Sequence, residues 1–261
     1  MNFRTIVYPA CLSLLLVGCA GSGTTTHKPA SPAVREAAIK AAINNPDRPV
    51  KDHEQDVKRK PADVLAFSGI EPGQKVIDMM SAGGWYAELL SRVVGPTGQV
   101  YMQNPPSVLE RNGGKAVVER LANNRLPNVV RWDKPLNDMQ LPGNYFDGAM
   151  INLVFHDFYS ISTDVDDVLA DLYKALKKGA WVVVVDHAAP VGTGNSFATN
   201  PRGQHRIEEA FAKAAFTRAG FKLDGESSVL RNPADNRQKA FFAPEMKGIN
   251  TDKFVVRFRK P

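Results

Sequence analysis

The sequence predicts an open, doubly wound α/β domain with a seven-stranded, mostly parallel sheet, helices on both faces and a C-terminal antiparallel hairpin. Short β-rich runs alternate with amphipathic helical patterns from residue 75 to residue 219, which is typical of a parallel sheet covered by helices. The last two β-rich runs, 222–230 and 253–259, are joined by a long polar segment that lets them pair antiparallel. With 43% hydrophobic and 23% charged residues, the composition excludes a disordered or collagen-like chain.

The first segment, residues 1–18, is predicted to be a lipoprotein signal peptide. Its apolar stretch, Ile6 to Val17, is too short to span a bilayer as a mature helix. The stretch ends on Leu16-Val17-Gly18-Cys19, which resembles the bacterial lipobox. This resemblance implies that Cys19 is diacylated and becomes the mature N-terminus. We therefore expect an exported lipoprotein on a bacterial membrane, facing the periplasm.

Residues 19–32 are rich in Gly, Ser and Thr, and they predict a flexible tether between the anchor and the folded domain. Ala20 after the cysteine resembles the sorting pattern of outer-membrane lipoproteins, which implies that membrane. The formal net charge of +6 is spread along the chain without a block of like charge. Such a distribution does not favour a nucleic-acid partner.

Three helical segments are expected before the first strand, and they form an N-terminal helical unit, 33–69, ahead of the main domain, 70–261. Ser31-Pro32 is a typical helix start, with a capping hydroxyl followed by Pro at the first helical position. The predicted helices are 32–45, 50–60, 61–68, 165–176 and 204–219, and the predicted strands are 75–79, 99–102, 128–131, 147–154, 181–186, 222–230 and 253–259.

The segment Lys75 to Ser91 reads as a strand, a turn of small residues and an amphipathic helix. Small residues let a ligand approach the backbone, and the helix N-terminus offers free amide donors. Asp78 ends the strand, where a carboxylate needs a polar partner. The alternative interpretation is a tight strand-to-helix turn in which Asp78 caps the helix.

From about Pro61 to Pro261 the chain resembles the class I S-adenosylmethionine-dependent methyltransferases. In that family an acidic residue is followed by three alternating glycines; here the positions hold Asp78, Met80, Ala82 and Gly84, so two glycines are replaced. The run Leu176-Lys-Lys-Gly-Ala-Trp-Val is similar to the family's "LKPGG" turn and fifth strand. The resemblance implies a Rossmann-like methyltransferase fold. Short runs at 83–86, 155–159 and 185–188 resemble an exported bacterial subgroup of the family.

The resemblance also implies S-adenosylmethionine as the cofactor. Gln103 and Asn104 stand where the family usually has an acidic residue for the ribose hydroxyls, and Asp133 stands where the family often meets the adenine amino group. Trp85 and Tyr86 either flank an aromatic group or pack in the core. The full set of expected cofactor positions is Asp78, Ser81, Gly83, Gly84, Trp85, Tyr86, Gln103, Asn104, Asp133 and Asn152.

Histidine stands beside aspartate after two predicted neighbouring strands, as His156-Asp157 and as Asp186-His187. Because parallel strands present their carboxyl ends at one edge, both pairs are expected in one crevice, with His205 of the next helix beside them. A carboxylate orients a histidine and suits it for general-base catalysis. The same groups can ligate a divalent metal; that set would be His156, His187 and His205 with Asp157 or Glu208. Alternatively, each histidine only closes a strand end with a hydrogen bond.

The sequence therefore predicts a lipid-anchored methyltransferase that acts on a small or medium-sized acceptor, with His156 or His187 as the base. Two other functions stay open. The crevice supports metal-assisted or His/Asp lyase or hydrolase chemistry, or it belongs to a non-catalytic lipoprotein that binds a ligand at the cell envelope. A measurement of metal content distinguishes the metal-assisted enzyme from the methyltransferase. Alanine at His156 or His187 distinguishes either enzyme from a protein that only binds a ligand.

Overall fold

The structure is a computed structural model that describes residues 29–161, 164–199 and 203–261, without the side chains of residues 112 and 113. The predicted signal peptide, Cys19 and residues 19–28 of the predicted tether lie outside the described residues. Seven strands form one sheet in the order β3-β2-β1-β4-β5-β7-β6. The first five strands are parallel, and β7 pairs antiparallel with both β5 and β6. The predicted fold class is confirmed.

The strands lie where the sequence pattern places them, with small differences at their ends. β5 begins earlier than expected because Leu176 already pairs with Phe146, ahead of an irregularity in the β4–β5 ladder. The strands are β1 (Lys75–Met79), β2 (Gln99–Gln103), β3 (Val129–Trp132), β4 (Phe146–Asn152), β5 (Leu176–His187), β6 (Lys222–Ser227) and β7 (Lys253–Arg259).

The helices precede and connect the strands. They are α1 (Pro32–Ile43), α2 (Val50–Arg59), α3 (Pro61–Ser68), α4 (Trp85–Val94), α5 (Pro106–Val108), α6 (Gly114–Leu121), α7 (Phe155–Phe158), α8 (Val165–Ala175) and α9 (Glu209–Arg218). A π-helical turn, Leu109–Gly113, joins α5 to α6, and 3-10 turns cover Ala122–Asn124, Leu136–Asp138 and Pro244–Met246. Within the described ranges, no helix is long and apolar enough to cross a membrane.

Local sequence explains where these helices begin and end. The Ser31 side chain caps α1 by accepting from the Val34 amide at 3.3 Å. Gly69 ends α3 in the left-handed conformation, with φ of 77°. The Asp164 side chain caps α8 by accepting from the amides of Asp166 and Asp167. The apolar face of α8 is buried against the sheet, as the spacing of its apolar residues predicts.

The core lies on both faces of the sheet because β5 alternates its side chains between them. Trp181, Val183 and Val185 pack with α1, α3 and α4 on one face. Val182 and Val184 pack with α8 and α9 on the other face. Helices therefore cover both faces of the parallel strands. A ligand site is expected at the edge of the sheet where the carboxyl ends of these strands lie.

Candidate functional site

The turn after β1 keeps the backbone shape of a glycine-rich turn without two of its glycines. Met80 and Ala82 have φ of 47° and 49°, in the left-handed region that costs most side chains about 1–3 kcal/mol. The Met80 amide donates to Gln103 Oε1 at 2.9 Å, and the Ala82 amide donates to Asn104 Oδ1 at 2.7 Å. The carboxamides of Gln103, the last residue of β2, and of Asn104 thus hold the strained turn.

The structure shows Gln103 and Asn104 bonded to the protein backbone around the turn. Both residues are fully buried. Gln103 Nε2 donates to the Lys134 carbonyl at 2.8 Å, and Asn104 Nδ2 donates to the Ala82 carbonyl at 3.1 Å. Each carboxamide therefore uses both its oxygen and its nitrogen on the backbone. The predicted bonds to ribose hydroxyls would have to compete with these contacts.

Gly83 and Gly84 allow α6 to approach the turn closely. A Cβ on Gly84 would lie 2.8 Å from Arg120 Cδ, and a Cβ on Gly83 would lie 3.0 Å from Ala116 Cβ. Gly84 also begins α4 in the left-handed conformation, with φ of 77°. Because Gly83 and Gly84 have no side chain, α6 can pack directly against the turn.

Asp78 ends β1 as a buried carboxylate with an unsatisfied oxygen. Its Oδ2 finds no hydrogen-bond partner in the described part of the chain, and the same is true of Ser81 Oγ and Tyr86 Oη. Burial raises the pKa of Asp78 from 3.8 to about 7. Such unpaired buried groups are costly, and a bound ligand commonly satisfies them. The Ser81 hydroxyl and the backbone amide of Ala87, in the first turn of α4, act in the opposite direction to burial and lower the pKa of Asp78. The contact with the Ala87 amide is the one that the helix-cap alternative expects.

Asp133 shows the same pattern at the end of β3. Its Oδ2 accepts from Arg131 Nε at 2.5 Å. Its Oδ1 is buried and has no partner among the described residues. This carboxylate therefore keeps one acceptor for a donor group such as an amine.

Trp85 and Tyr86 begin α4 as predicted, and their contacts are with the protein. Trp85 Nε1 donates to the Asp52 carbonyl at 3.2 Å, and the Arg59 guanidinium lies 4.7 Å from its ring centroid. Tyr86 is buried in the core on this face of the sheet. Both rings thus contact the protein, as the packing alternative expects, and Tyr86 Oη has no hydrogen-bond partner in the part of the chain that the structure describes.

Beneath the turn lies a charged cluster that the sequence did not indicate. Glu88 is fully buried and forms ion pairs with Arg92 at 2.8 Å, with Arg125 at 2.6 Å and with Arg120. Burial alone would raise the pKa of Glu88, but the hydrogen bonds from Arg125 and Arg92 hold it below its usual value. The cluster fixes α6 against α4. Arg92 is four residues from Glu88 on the same helix, but Arg120 and Arg125 are more than 30 residues away, so no short motif reveals the cluster.

Asp186, the residue before the last one of β5, contacts both His156, which follows β4, and His187, which ends β5. Its carboxylate accepts from the His156 amide at 2.8 Å and from the His187 amide at 2.7 Å. It also bonds His156 Nδ1 at 2.7 Å. Burial alone would lower the pKa of His156, but the Asp186 carboxylate outweighs it and raises that pKa.

Asp157 joins His156 to His205 at the mouth of the crevice. Asp157 Oδ1 lies 3.1 Å from His205 Nδ1 and 3.3 Å from His156 Nε2. The pKa of Asp157 is lowered because its bond to His205 and the nearby His156 outweigh its burial. The rings of His156 and His205 meet edge to face with centroids 5.4 Å apart. The expected meeting of the histidines is therefore present in the structure.

The prediction that His205 lies inside a helix is wrong. The helix α9 begins only at Glu209, after Glu208. Ile207 instead forms a parallel bridge with Ala188, which extends the sheet edge and stops the helix from starting earlier. His205 has φ of 51°, so the chain turns sharply there and brings its ring back over Asp157.

His187 lies deeper in the crevice and differs from the other histidines. Its Nδ1 bonds Thr251 Oγ1 at 2.6 Å, and its ring stacks on Phe241 at 5.0 Å. Burial lowers the pKa of His187 well below its ordinary value, and the neighbouring His156 lowers it further. This imidazole is therefore neutral at neutral pH.

The predicted metal-ligand set is corrected by these positions. His156, Asp157 and His205 offer ligand atoms that all lie within 4.8 Å of one another. His187 and Glu208 are not in that group of described residues. His187 Nδ1 bonds Thr251 Oγ1 at 2.6 Å, and Glu208 Oε2 accepts from the Gly194 amide at 2.7 Å.

The long segment between β6 and β7 forms one wall of the crevice, and it includes two phenylalanines that the sequence did not place there. Arg206 is fully buried, pairs with Asp235 at 2.8 Å and donates to the Ala188 carbonyl at 2.9 Å. This pairing ties the segment to β5. It places Phe241 and Phe242 beside the histidines, where they remain about half exposed, at 47% and 58%. Nothing in the local sequence pattern of these aromatics indicates that placement.

The two groups of polar residues share one edge of the sheet. Asp78 pairs in register with Met150 of β4, two residues before Asn152. Asn152 in turn pairs with Val185, next to Asp186. The turn after β1 and the histidine crevice therefore follow neighbouring strand ends, as parallel topology requires. Asn152 itself is half-buried at this edge.

Solved structures resemble this architecture over most of the chain. A SAM-dependent methyltransferase from Aquifex aeolicus covers 87% of this chain and 98% of its own, with a TM-score of 0.59 and 19% identity. The chain has the class I methyltransferase fold. An arsenic(III) S-adenosylmethionine methyltransferase from Chlamydomonas reinhardtii covers 88% of this chain and 74% of its own, with a TM-score of 0.52 and 17% identity.

Sequence relatives that are methyltransferases match about half of this chain. A ubiquinone/menaquinone biosynthesis C-methyltransferase from Psychromonas ingrahamii is 30% identical over 124 residues, which cover 48% of this chain and 47% of that protein. A 2-phytyl-1,4-naphtoquinone methyltransferase from Synechococcus elongatus is 29% identical over 128 residues, covering 48% of this chain and 51% of that protein. The chain thus spans about half the length of these relatives. No family model matches it.

Proposed function

We propose that this protein transfers a methyl group from S-adenosylmethionine to a small aromatic acceptor bound in the histidine crevice. The observation that carries the proposal is the set of buried, unpartnered oxygens on Asp78, Ser81 and Asp133, found within the described residues at the strand ends of a methyltransferase fold. The cofactor, when bound, supplies an electrophilic methyl on a sulfonium. The protein's task is alignment and removal of the acceptor's proton.

These hydrogen-bond acceptors fit the polar ends of such a cofactor. The Asp78 carboxylate has an acceptor to spare for an ammonium group, and charge-assisted bonds of this kind are among the stronger ones in proteins. Asp133 Oδ1 has an acceptor to spare for an amino group on a base. Because Gln103 and Asn104 hold the turn, they would contribute chiefly by fixing its shape.

His187 is the group we propose as proton acceptor. A general base must be neutral before it acts, and burial keeps His187 in that form. Thr251 holds its Nδ1, so the proton from the acceptor goes to Nε2. His156 is less suited because Asp186 and Asp157 favour its protonated form.

An aromatic acceptor follows from the wall of the crevice and from the relatives. Phe241 stacks on His187 and contacts Phe242 edge to face at 5.1 Å, and both phenylalanines stay about half exposed. Flat rings pack well on such surfaces. The sequence relatives are named for methylation in quinone biosynthesis, which supports an acceptor of the hydroquinone kind.

Membrane anchoring through Cys19 is part of the proposal and rests on the sequence pattern alone. We propose a periplasm-facing lipoprotein, in the outer membrane because Ala20 follows the cysteine. Cys19→Ser should move the protein from the membrane fraction to the soluble fraction of a bacterial host. Unchanged fractionation would contradict lipid anchoring.

The cofactor is tested by titrating the full chain with S-adenosylhomocysteine in a calorimeter. Asp78→Asn removes the charge, and Asp63→Asn makes the same change at an exposed site on α3. We expect Asp78→Asn to weaken binding roughly ten- to hundredfold, since a hydrogen bond to a charged group contributes about 1.5–3 kcal/mol. Asp63→Asn should bind like the parent chain. The proposal fails if the parent chain does not bind at millimolar ligand, or if both variants bind equally.

A further inference from the structure

We infer that His156, Asp157 and His205 form a binding site for a divalent transition-metal ion of the zinc class. Two imidazole nitrogens and one carboxylate oxygen lie within 4.8 Å of one another. Bonds from zinc to such ligands are about 2.0–2.2 Å long, so ligand atoms around one ion are separated by up to about 4.4 Å. The three groups are therefore close to a spacing that one ion can bridge.

An unsatisfied nitrogen supports the site independently. His156 is 1% exposed, and its Nε2 has no hydrogen-bond partner within the described ranges. This nitrogen lies 3.3 Å from Asp157 Oδ1 without forming a hydrogen bond to it, so one ion can contact both atoms. A buried ring nitrogen without a partner is costly, and a metal ion in front of it removes that cost.

The residues behind His156 have the arrangement common behind metal-binding histidines. Asp186 bonds His156 Nδ1 at 2.7 Å and also fixes the backbone of the same residue at 2.8 Å. A carboxylate on the far nitrogen sets the tautomer of an imidazole and makes its other nitrogen a better ligand. Asp186 thus acts as a positioning residue for the proposed ion.

The ligand types select the class of ion. Imidazole nitrogen favours zinc, cobalt, iron and copper over magnesium and calcium, which prefer oxygen. Three protein ligands leave a coordination position for an oxygen from a small molecule. His187 lies next to this site, with its ring centroid 5.9 Å from that of His156. In a step that rests on the proposed function, the ion would bind the acceptor's oxygen beside the proposed proton acceptor.

Metal binding can be measured without any cofactor, so its failure and the failure of methyl transfer are distinguishable. We would strip the full chain with a chelator and titrate it with Zn²⁺ by calorimetry and with Co²⁺ by visible absorption. The variants are His205→Gln, on a half-buried loop, and Asp157→Asn, which keeps the shape of the side chain. His53→Gln makes the same histidine change on α2, outside the cluster.

We expect the parent chain and His53→Gln to bind one equivalent of either ion. His205→Gln and Asp157→Asn should each weaken binding at least roughly tenfold, and Asp186→Asn should weaken it roughly ten- to hundredfold through His156. Far-UV circular dichroism establishes that each variant is folded. The inference is overturned if the parent chain binds neither ion saturably, or if His205→Gln and Asp157→Asn bind as tightly as His53→Gln.

Discussion

Asp78 should destabilise the folded protein at neutral pH in the absence of a ligand. Its pKa is 3.8 for an ordinary carboxyl and about 7 in the folded state, where burial disfavours the charge. A difference of about three pH units corresponds to about 4 kcal/mol. Below about pH 4, Asp78 is protonated in both the folded and the unfolded chain, and it does not reduce the free energy of unfolding. Between pH 4 and 7 this free energy falls as the unfolded chain loses the proton, and above pH 7 the full reduction is present.

Asp78→Asn removes this dependence because asparagine has a similar shape and no charge. We expect the variant to be more stable than the parent chain by up to about 4 kcal/mol at pH 8, with little difference at pH 4. The free energy of unfolding would be measured by urea titration at both pH values, with circular dichroism as the signal. Asp63→Asn, on the exposed face of α3, is the matched control.

Two results would refute this reasoning. If Asp78→Asn is no more stable than the parent chain at pH 8, then Asp78 is either ionised at no cost or paired with a cation. If Asp63→Asn gains as much stability, the effect belongs to the net charge of the chain and not to burial.

The expected result also links stability to function, because the same Asp78→Asn substitution should weaken cofactor binding. A protein that gives up stability at a ligand site commonly recovers it when the ligand binds.

Three further predictions concern packing, charge and catalysis. Gly148→Ala should lower the free energy of unfolding by at least about 1–3 kcal/mol in urea titration, because the added Cβ would lie 2.0 Å from Trp181 Cε2. Glu88→Gln should cost about 3–5 kcal/mol in the same assay, because it leaves three arginines around a buried neutral amide. His187→Gln should lower the methyl-transfer rate roughly 10²- to 10⁴-fold in a radiolabel assay, with S-adenosylhomocysteine affinity unchanged.

Each of these has a matched control. Gly143→Ala adds a Cβ whose nearest neighbour is 3.9 Å away, so a similar loss of stability there would contradict the packing argument. Glu119→Gln changes a half-exposed carboxylate in a loose 3.8 Å ion pair, and it should alter stability by less than about 1 kcal/mol. His53→Gln should retain the parental methyl-transfer rate. Equal rates in His53→Gln and His187→Gln would exclude His187 as the base.

Much of the fold could be predicted from the sequence because periodic burial is a local property. The run from Trp181 to Val185 alternates between two cores, and the apolar spacing of α8 matches its buried face. Both signals are present within a dozen residues. The carboxyl-terminal strand ends could be placed at one edge because parallel topology leaves no other choice.

The site was harder to predict because its contacts join distant segments. The bond from His187 to Thr251 spans 64 residues, and the bond from Arg206 to Asp235 spans 29. Neither leaves a periodic or short-range signal. His205 was misplaced because helix propensity continues upstream of Glu209, whereas the bridge to Ala188 keeps that stretch extended. Tertiary contacts overrode local preference there.

The carboxamides at the carboxyl end of β2 and the residues of the turn after β1 depend on one another, so a mutation in one affects the other. Gln103 and Asn104 hold Met80 and Ala82 in a backbone conformation that glycine adopts without help. An acidic residue at position 103 would lose the donor to the Lys134 carbonyl and leave the strained turn less well held. A glycine at position 80 would remove the need for that support. A return to the glycine-rich pattern by successive mutations is therefore expected to replace the turn residue Met80 before Gln103. Replacing Gln103 first gives an intermediate protein that is less stable.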